Sequence, residues 1–555
     1  MNAYKKGIIG LLFFLFRTVS SQSIGDIIVI SGQVNPEETI GSFEKIQDKP
    51  KIEDTIKKIV SGTIAISSKP VNTTYEPSAI MAVRMKNEPL SKLYHCLIKA
   101  GYGNYNTPYG EVFLSNLRSR DNAFGFRYKH FSSNWQLENR GFSGFSDNDV
   151  QLNGKHFFKK HILSGELNYF RNVVHFYGYS PAEFALNYTD STKQIFNTFE
   201  LKSNFKSHFQ DTAKLNYEIN LNAYNLQDKF KTNEFYLGTN GVFNSLIKGE
   251  RFNVIASTDY YQLKTEKDTI NNAIVKLNPY FEAKGKQWNA NLGLVAVLDK
   301  FSDSSAKFNF YPRLNISYDV YKNIIVPFGG IGGDLNKNSQ RSFIARNPFL
   351  SSTVVMKNTS NNLEIYGGLK GALSSKINYV ASASFNSVTD FALYRIDYFS
   401  LLQNRFRVDY ADGKILKFGG QIKYSDKEKL SITAQGYYYK YHLKDVDFAW
   451  HQPDFESRLN INYNLQSKII LKADVFFIGT QWILSQKIDS GLVTVSAPVK
   501  IKGLADVNMG AEYRYSKFLS AFVQFNNIGG VRYFRWDQYP TQRFNFMIGL
   551  SFIPF

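Results

Sequence analysis

The chain has 555 residues, with 66 Lys and Arg against 47 Asp and Glu for a formal net charge of +19, and 16% of it is aromatic, including 35 Tyr and 47 Phe. Hydrophobic residues reach only 43%, and past the N-terminus no run approaches the roughly 18–20 apolar residues of a membrane-spanning helix, which excludes helical insertion of the mature chain. The basic residues recur singly at turns and strand ends, so the charge does not indicate nucleic acid and suits lipid phosphates and dissolved solutes instead.

Residues 1–21 read as a cleavable export signal. Lys5 and Lys6 supply positive charge, Gly7–Phe16 a short apolar core interrupted afterwards by Arg17, and Val19 and Ser21 the small residues before Gln22. The single cysteine, Cys96, cannot form an intrachain disulfide and reads as a small apolar strand residue.

Residues 22–93 are polar and lack aromatic alternation, as expected of a periplasmic arm or a truncated plug-like segment. Ile52, Ile56, Ile59 and Val60 fall on one face of a short amphipathic helix, whereas Pro70, Pro77 and Pro89 favour an extended chain in the second half.

From residue 94 to residue 555 the pattern is one of alternating segments. Leu215, Tyr217, Ile219, Leu221 and Ala223 alternate with polar neighbours. Leu459, Ile461, Tyr463 and Leu465 do the same before Gln466–Lys468, after which Ile469, Leu471, Ala473, Val475 and Phe477 resume the alternation as a hairpin. Short turns carrying Lys or Arg with Ser, Asp or Gly, such as Phe158–Lys160, Lys248–Glu250, Ser374–Lys376 and Asp426–Lys429, are interleaved with longer connections, among them 132–146, 174–193, 334–361, 387–403, 442–454, 477–502 and 526–542. Short turns on one side and long loops on the other predict an all-β, antiparallel transmembrane β-barrel of roughly 22 strands with its short side periplasmic. A propeller would show a blade repeat of about 40 residues, and none is evident.

The stretch from Arg543 to Phe555 reads as the closing strand. Phe544, Phe546, Ile548, Leu550 and Phe552 share one face, and Phe555 reads as a signal to the barrel-assembly machinery. Because hydrocarbon offers no hydrogen bonds to an open edge, this strand must pair with the first one, near Tyr94. Tyr437–Tyr439 and Tyr533–Phe534 are expected in the aromatic girdles at the membrane interfaces.

The run FNNIGGVRYFRWDQYPTQRFNFMIGLSFIPF, Phe525–Phe555, resembles the last loop and closing strands of TonB-dependent receptors, and KLYHCLIKAGYGNYNTPYGEVFLSNLRSR, Lys92–Arg120, is similar to the first hairpin of receptor-like barrels from Bacteroidota. The resemblance implies an outer-membrane barrel of about 22 strands that takes up a solute. It also departs from the family, because residues 22–93 are too few for the folded plug of such receptors. Within them Asp26, Ile27, Ile28, Val29 and Ile30 of DIIVISG resemble a TonB box, a segment that would pair with TonB by strand addition.

Candidate chemistry is sparse. The eight histidines include no HExxH pair, and His156 and His161 are expected on opposite strand faces. No GxSxG surrounds a nucleophile, PFGGIGGDLN (Pro327–Asn336) lacks the GxxxxGK[ST] pattern of a phosphate loop and reads as a bent strand, and Ser146–Asp149 reads as an exposed loop tip rather than a cation site. No enzyme activity, cofactor or metal is therefore expected. The expected function is a receptor or transporter in the outer membrane, among lipid and lipopolysaccharide, that admits an unknown solute. The alternative is a non-transporting scaffold of a secretion or assembly complex.

Overall fold

A computed structural model of the protein describes residues 95–554, apart from 117, 118, 120, 183–188, 208–214, 248, 249, 399, 401, 428, 490 and 491. Residues 1–21, read as an export signal, residues 22–93, read as an arm with the DIIVISG heptad, and Phe555 lie outside the described residues.

Period-two alternation becomes strand almost throughout. The first half holds β1 (Cys96–Gly103), β2 (Thr107–Ser115), β3 (Asn122–Ser133), β4 (Phe145–Phe157), β5 (His161–His175), the single-turn α1 (Thr189–Thr192), β6 (Lys193–Ser207), β7 (Asn216–Asp228), β8 (Asn233–Ile247), β9 (Glu250–Lys264), β10 (Thr269–Lys284), β11 (Trp288–Phe301) and β12 (Lys307–Tyr318). After these come β13 (Val326–Asn336), α2 (Gln340–Arg346), β14 (Thr359–Ser374), β15 (Ile377–Ile396), β16 (Phe406–Asp426), β17 (Leu430–Leu443), β18 (Phe455–Leu465) and β19 (Ile469–Ile478). The last stretch has β20 (Gln481–Asp489), β21 (Leu492–Ile501), β22 (Leu504–Arg514), β23 (Leu519–Asn526), β24 (Phe534–Trp536), β25 (Tyr539–Pro540) and β26 (Asn545–Phe552).

Twenty-two of these strands form one antiparallel sheet in which each pairs with the next. The sheet skips only the β20–β21 hairpin, where β19 pairs with β22, and the small β24–β25 hairpin, where β23 pairs with β26. The sheet closes because β26 also pairs with β1, with Phe552 opposite Ile98 and Ile548 opposite Tyr102. No edge is left unpaired, which is the condition for a sheet to sit in hydrocarbon.

The outward face is apolar. Phe546, Ile548, Leu550 and Phe552 of β26, Val275 and Leu277 of β10, and Phe308 and Phe310 of β12 all stand exposed, the last two at 70% and 73%. Their alternate neighbours point into the lumen, as Met547 and Ser551 do on β26. On β6 and β7 the inward column is polar, with the Asn204 amide donating to Asn220 at 2.7 Å and to Glu218 at 2.8 Å.

The connections divide the molecule into two rims. On one rim all ten turns are short, and Gln466 and Ser467, with φ of 52° and 57°, supply the left-handed pair that a tight hairpin between right-twisted strands prefers. The other rim carries the long connections 134–144, 176–192, 337–358, 397–405, 444–454, 479–503 and 527–544, alongside four tight hairpins at 104–106, 229–232, 265–268 and 302–306. The merging of β16 across Asp412-Gly413 into one long strand gives the register that fits this alternation.

Three local expectations are corrected. Ser146–Asp149 is not a loop tip. It lies in β4, where Asp147 is buried and accepts from the Asn172 amide at 2.9 Å. His156 and His161 share the outward face, because the turn between β4 and β5 resets the alternation: His156 pairs opposite outward-facing Leu163, and His161 lies two residues before it. Of the tyrosines expected in a girdle, Tyr438 does face outward. Tyr437 and Tyr439 line the lumen side with the Lys417 ammonium 4.5 Å and 5.7 Å from their rings, and Tyr533 is buried against Leu504.

Candidate functional site at the long-loop rim

Most of the largest fully buried side chains of the described residues gather at the long-loop rim, with Ile274, Glu200 and Glu234 on the inner wall. Leu137 of connection 134–144, Phe176 and Tyr177 of 176–192, Phe343, Phe349, Leu350 and Val354 of 337–358, and Tyr539 of 527–544 pack against the rim ends of β15 and β16, including Tyr394, Ile396 and Phe406. The Phe349 and Tyr539 rings stack with centroids 3.7 Å apart, and Tyr177 meets both edge-on. Burial of aromatic side chains on this scale is the main stabilising term of a soluble core, at roughly 1.5–3 kcal/mol each. The polar backbone within it is satisfied. Leu350 and Phe406 form a parallel bridge in which Ser351 N–H donates to Phe406 O at 2.7 Å and Phe406 N–H to Phe349 O at 2.9 Å, and the Tyr177 hydroxyl donates to Pro540 O at 3.0 Å.

Connection 337–358 is the centre of this arrangement, because its other side is fastened to the inner wall. Ser339 caps α2 with a side chain that accepts from Ser342 N–H, and Ser342 reciprocates to the Ser339 N–H. The buried Glu234 carboxylate of β8 accepts from Gln340 N–H at 2.5 Å, from Arg341 N–H at 3.2 Å and from the Tyr224 hydroxyl at 2.7 Å. Arg341 lies 2.7 Å from buried Glu200 of β6, with its guanidinium 4.5 Å from the Tyr224 ring centroid. Lys337 pairs with Asp259 of β9, which also accepts from the Tyr236 hydroxyl at 2.6 Å. Towards the ends of the connection, Ser352 donates to Asp228 at 2.5 Å and the Asn358 amide to Asp299 at 3.1 Å. A segment held by ion pairs whose acids are inaccessible to water is firmly placed, since losing either partner strands a buried charge.

Two titrating groups lie in the loop core. His451 is fully enclosed by Phe406, Trp536 and the Tyr394 carbonyl, with Nδ1 2.7 Å from that oxygen, and its burial lowers the imidazole pKa to about 4. Asp537, whose N–H donates to His451 Nε2 at 3.4 Å, is pushed up to about 6 by burial. Neither touches a second histidine or carboxylate in metal-binding geometry, and no cluster of His, Cys, Asp or Glu able to hold a metal occurs among the described residues.

Of the residues singled out in the sequence, Phe544 to Phe552 form and precede the closing strand, and Pro327–Asn336 is β13 with a bulge between Gly332 and Asp334. The heptad Asp26–Gly32 falls outside the described residues. The loop core itself was missed. Its signal is the aromatic density of RYFRWDQYP inside a connection and of FALYRIDYF at the rim end of β15, more than solvated loops would carry.

No family model and no curated protein matches the chain. Solved structures do match. The FrpB iron transporter from Neisseria meningitidis is similar over 83% of this chain and 82% of its own, at 10% identity and a TM-score of 0.62. The siderophore receptor PirA from Acinetobacter baumannii is similar over 84% and 81%, at 10% identity and a TM-score of 0.62. The ferripyoverdine receptor of the outer membrane of Pseudomonas aeruginosa is similar over 84% and 72%, at 10% identity and a TM-score of 0.61. At this identity the likeness establishes the fold alone, a closed barrel of 22 antiparallel strands.

Proposed function

We propose that this barrel is an outer-membrane receptor that admits a small polar solute, with the long-loop rim facing outward and connection 337–358 acting as its gate. The observation that carries this is the double attachment of that connection: apolar residues bind it to the other loops, while Arg341, Lys337 and Asn358 fasten it to the inner wall. Beyond the gate the polar inward faces of the strands set selectivity. The arm at residues 22–93 supplies a periplasmic segment, and Asp26–Ile30 within it offers the strand that TonB would extend.

Planar bilayers test the gate. The full-length protein is expected to conduct rarely, and deletion of residues 340–352 to raise the open probability at least tenfold. Failure of the full-length protein, the loop deletion and a deletion of residues 22–93 to conduct would overturn passage through the lumen. TonB pairing is checked separately, by cysteine cross-linking at Ile28; a cross-link yield at background level removes that partner.

A further inference from the structure

The glycine-rich strand β13 serves a purpose beyond completing the wall between β12 and β14. On the lumen face one row crosses five strands, in which Tyr280 of β10 pairs with Gly293 of β11, and Gly293 pairs with Arg313 of β12. The register that pairs Leu314 with Ile331 brings Arg313 level with Gly332 of β13, and Gly332 pairs with Glu364 of β14. Large side chains and glycines therefore alternate along the row. A Cβ at Gly293 would lie 2.2 Å from Pro279 O and 2.5 Å from Tyr280 Cβ, whereas one at Gly332 would meet nothing within 4 Å. The first glycine is needed for close packing, and the second leaves an open floor.

That floor belongs to a pocket of about 520 Å³, within the range that takes a small ligand. The Arg313 guanidinium stacks 3.8 Å from the Tyr280 ring centroid, on the β10 side of the row, away from Glu364 on β14. No described residue forms an ion pair with Arg313 or with Glu364, whereas the other lining cation, Lys276, is neutralised by Asp334 at 2.7 Å. Arg313 thus offers a pre-oriented fork of donors, the geometry that takes a carboxylate in two hydrogen bonds. Glu364 offers the opposite charge two strands away, roughly 10 Å at the backbone. The pocket is also lined by the carboxamides of Asn315 on β12 and Asn361 on β14, which flank β13, and by those of Asn240 and Asn278 on the β8 and β10 side, each able both to donate to and to accept from an amide.

We propose that this pocket binds a short zwitterionic peptide, its terminal carboxylate on Arg313, its ammonium on Glu364 and its backbone amides on the asparagines. At about 3.3–3.6 Å per residue, an extended tripeptide is as long as the roughly 10 Å backbone separation of Arg313 and Glu364. The proposal rests on the reading of the barrel as a solute receptor and names the class of solute.

Trialanine is the probe, measured by calorimetry against the full-length protein in nanodiscs. Free trialanine is expected to bind, and its C-terminal amide and its N-acetyl derivative to bind at least tenfold more weakly. Arg313→Gln should abolish the preference for the free carboxylate, Glu364→Gln the preference for the free amine, and Gly332→Leu, which builds into the floor from a Cβ position with nothing within 4 Å, all binding. Heat-modifiable migration of each variant confirms that the barrel has formed. Equal binding of free and doubly blocked trialanine, unchanged binding by Gly332→Leu, or binding of glucuronate in place of trialanine would overturn the proposal. A barrel that conducts without binding trialanine loses this pocket and keeps its gate. One that binds trialanine selectively without conducting supports the pocket and loses passage.

Discussion

The two rims of the barrel are built from the same chain by opposite means. At the short-turn rim each hairpin reverses locally: Gln466 and Ser467 turn the chain on their own backbone geometry, and the neighbouring strand adds single contacts such as Arg514 N–H to Lys468 O at 2.8 Å. At the long-loop rim, Tyr539 stacks on Phe349 and its hydroxyl donates to the Asn404 carbonyl, so that three connections widely separated in sequence fix one side chain. The barrel wall is held by backbone pairing, with many of its apolar side chains turned outward and smaller buried clusters such as Ile274, Val297 and Tyr311, whereas the largest buried apolar cluster of the described residues lies at the loop rim. Structure at one rim is therefore local and individually replaceable, whereas at the other it is cooperative.

The contrast is most severely tested by cutting into the loop core. Phe349→Ala combined with Tyr539→Ala should destabilise the packed loops by at least the 3–5 kcal/mol typical of one buried aromatic. Hydrogen exchange of residues 337–358 and 527–544 is then expected to accelerate by at least a hundredfold, while the amides of β6–β12 keep their protection. Loss of wall protection as well would show that the rims do not differ in kind.

A smaller effect separates the two attachments of connection 337–358. Arg341→Met leaves Glu200 buried with only Lys202, 3.3 Å away, and should cost about 3 kcal/mol, while the double variant with Glu200→Leu recovers most of it, because the stranded charge is gone. The protease susceptibility of the connection measures both. A double variant no better than the single one would mean that Arg341 works through packing on Tyr224.

The acid–base pair in the loop core predicts opposite pH responses. The His451 pKa is lowered to about 4, so protonation favours the open loops, and stability falls as pH drops from about 6.5 towards 4. The Asp537 pKa is raised to about 6, so stability is gained as pH drops from about 6 towards 4. Each contribution approaches about 3 kcal/mol at its acid limit, and in the native protein they largely offset. His451→Phe should make the loops more stable on acidification, and Asp537→Asn less stable. Fluorescence of Trp536 and Trp450 reads both, and parallel responses would refute the assignment.

The smallest effect is expected at the short turns. Lys427→Gly, at a residue with φ of 49°, should change stability by less than about 1 kcal/mol and leave the loop rim unmoved by hydrogen exchange.

Much of the wall was legible in the sequence because strand alternation and turn chemistry are local signals. Leu215–Ala223, the Gln466–Lys468 hairpin and the outward Phe546, Ile548, Leu550 and Phe552 all follow from period two. The loop core was not legible, for a physical reason. Tyr177, Phe349 and Tyr539 share no periodicity, and their common destination is set by closure of the whole ring. Tyr533 shows the cost of relying on composition, since an aromatic near a strand end can face an interface or an interior with the same neighbours in sequence. The row from Tyr280 to Glu364 was equally hidden, since it exists only once five strands are in register.

The pairing of Ile98 with Phe552 also constrains how the molecule can be made. Its two partners lie about 450 residues apart, the extreme of non-local contact, and such contacts form slowly. Until the final strand has been synthesised the first one has no partner on that side, so the wall cannot be completed progressively as the chain emerges. Every earlier hairpin would present a bare edge, ready to pair with another copy. The wall therefore closes only once β26 is in place, and loss of that strand would leave the edges of both β1 and β23 open.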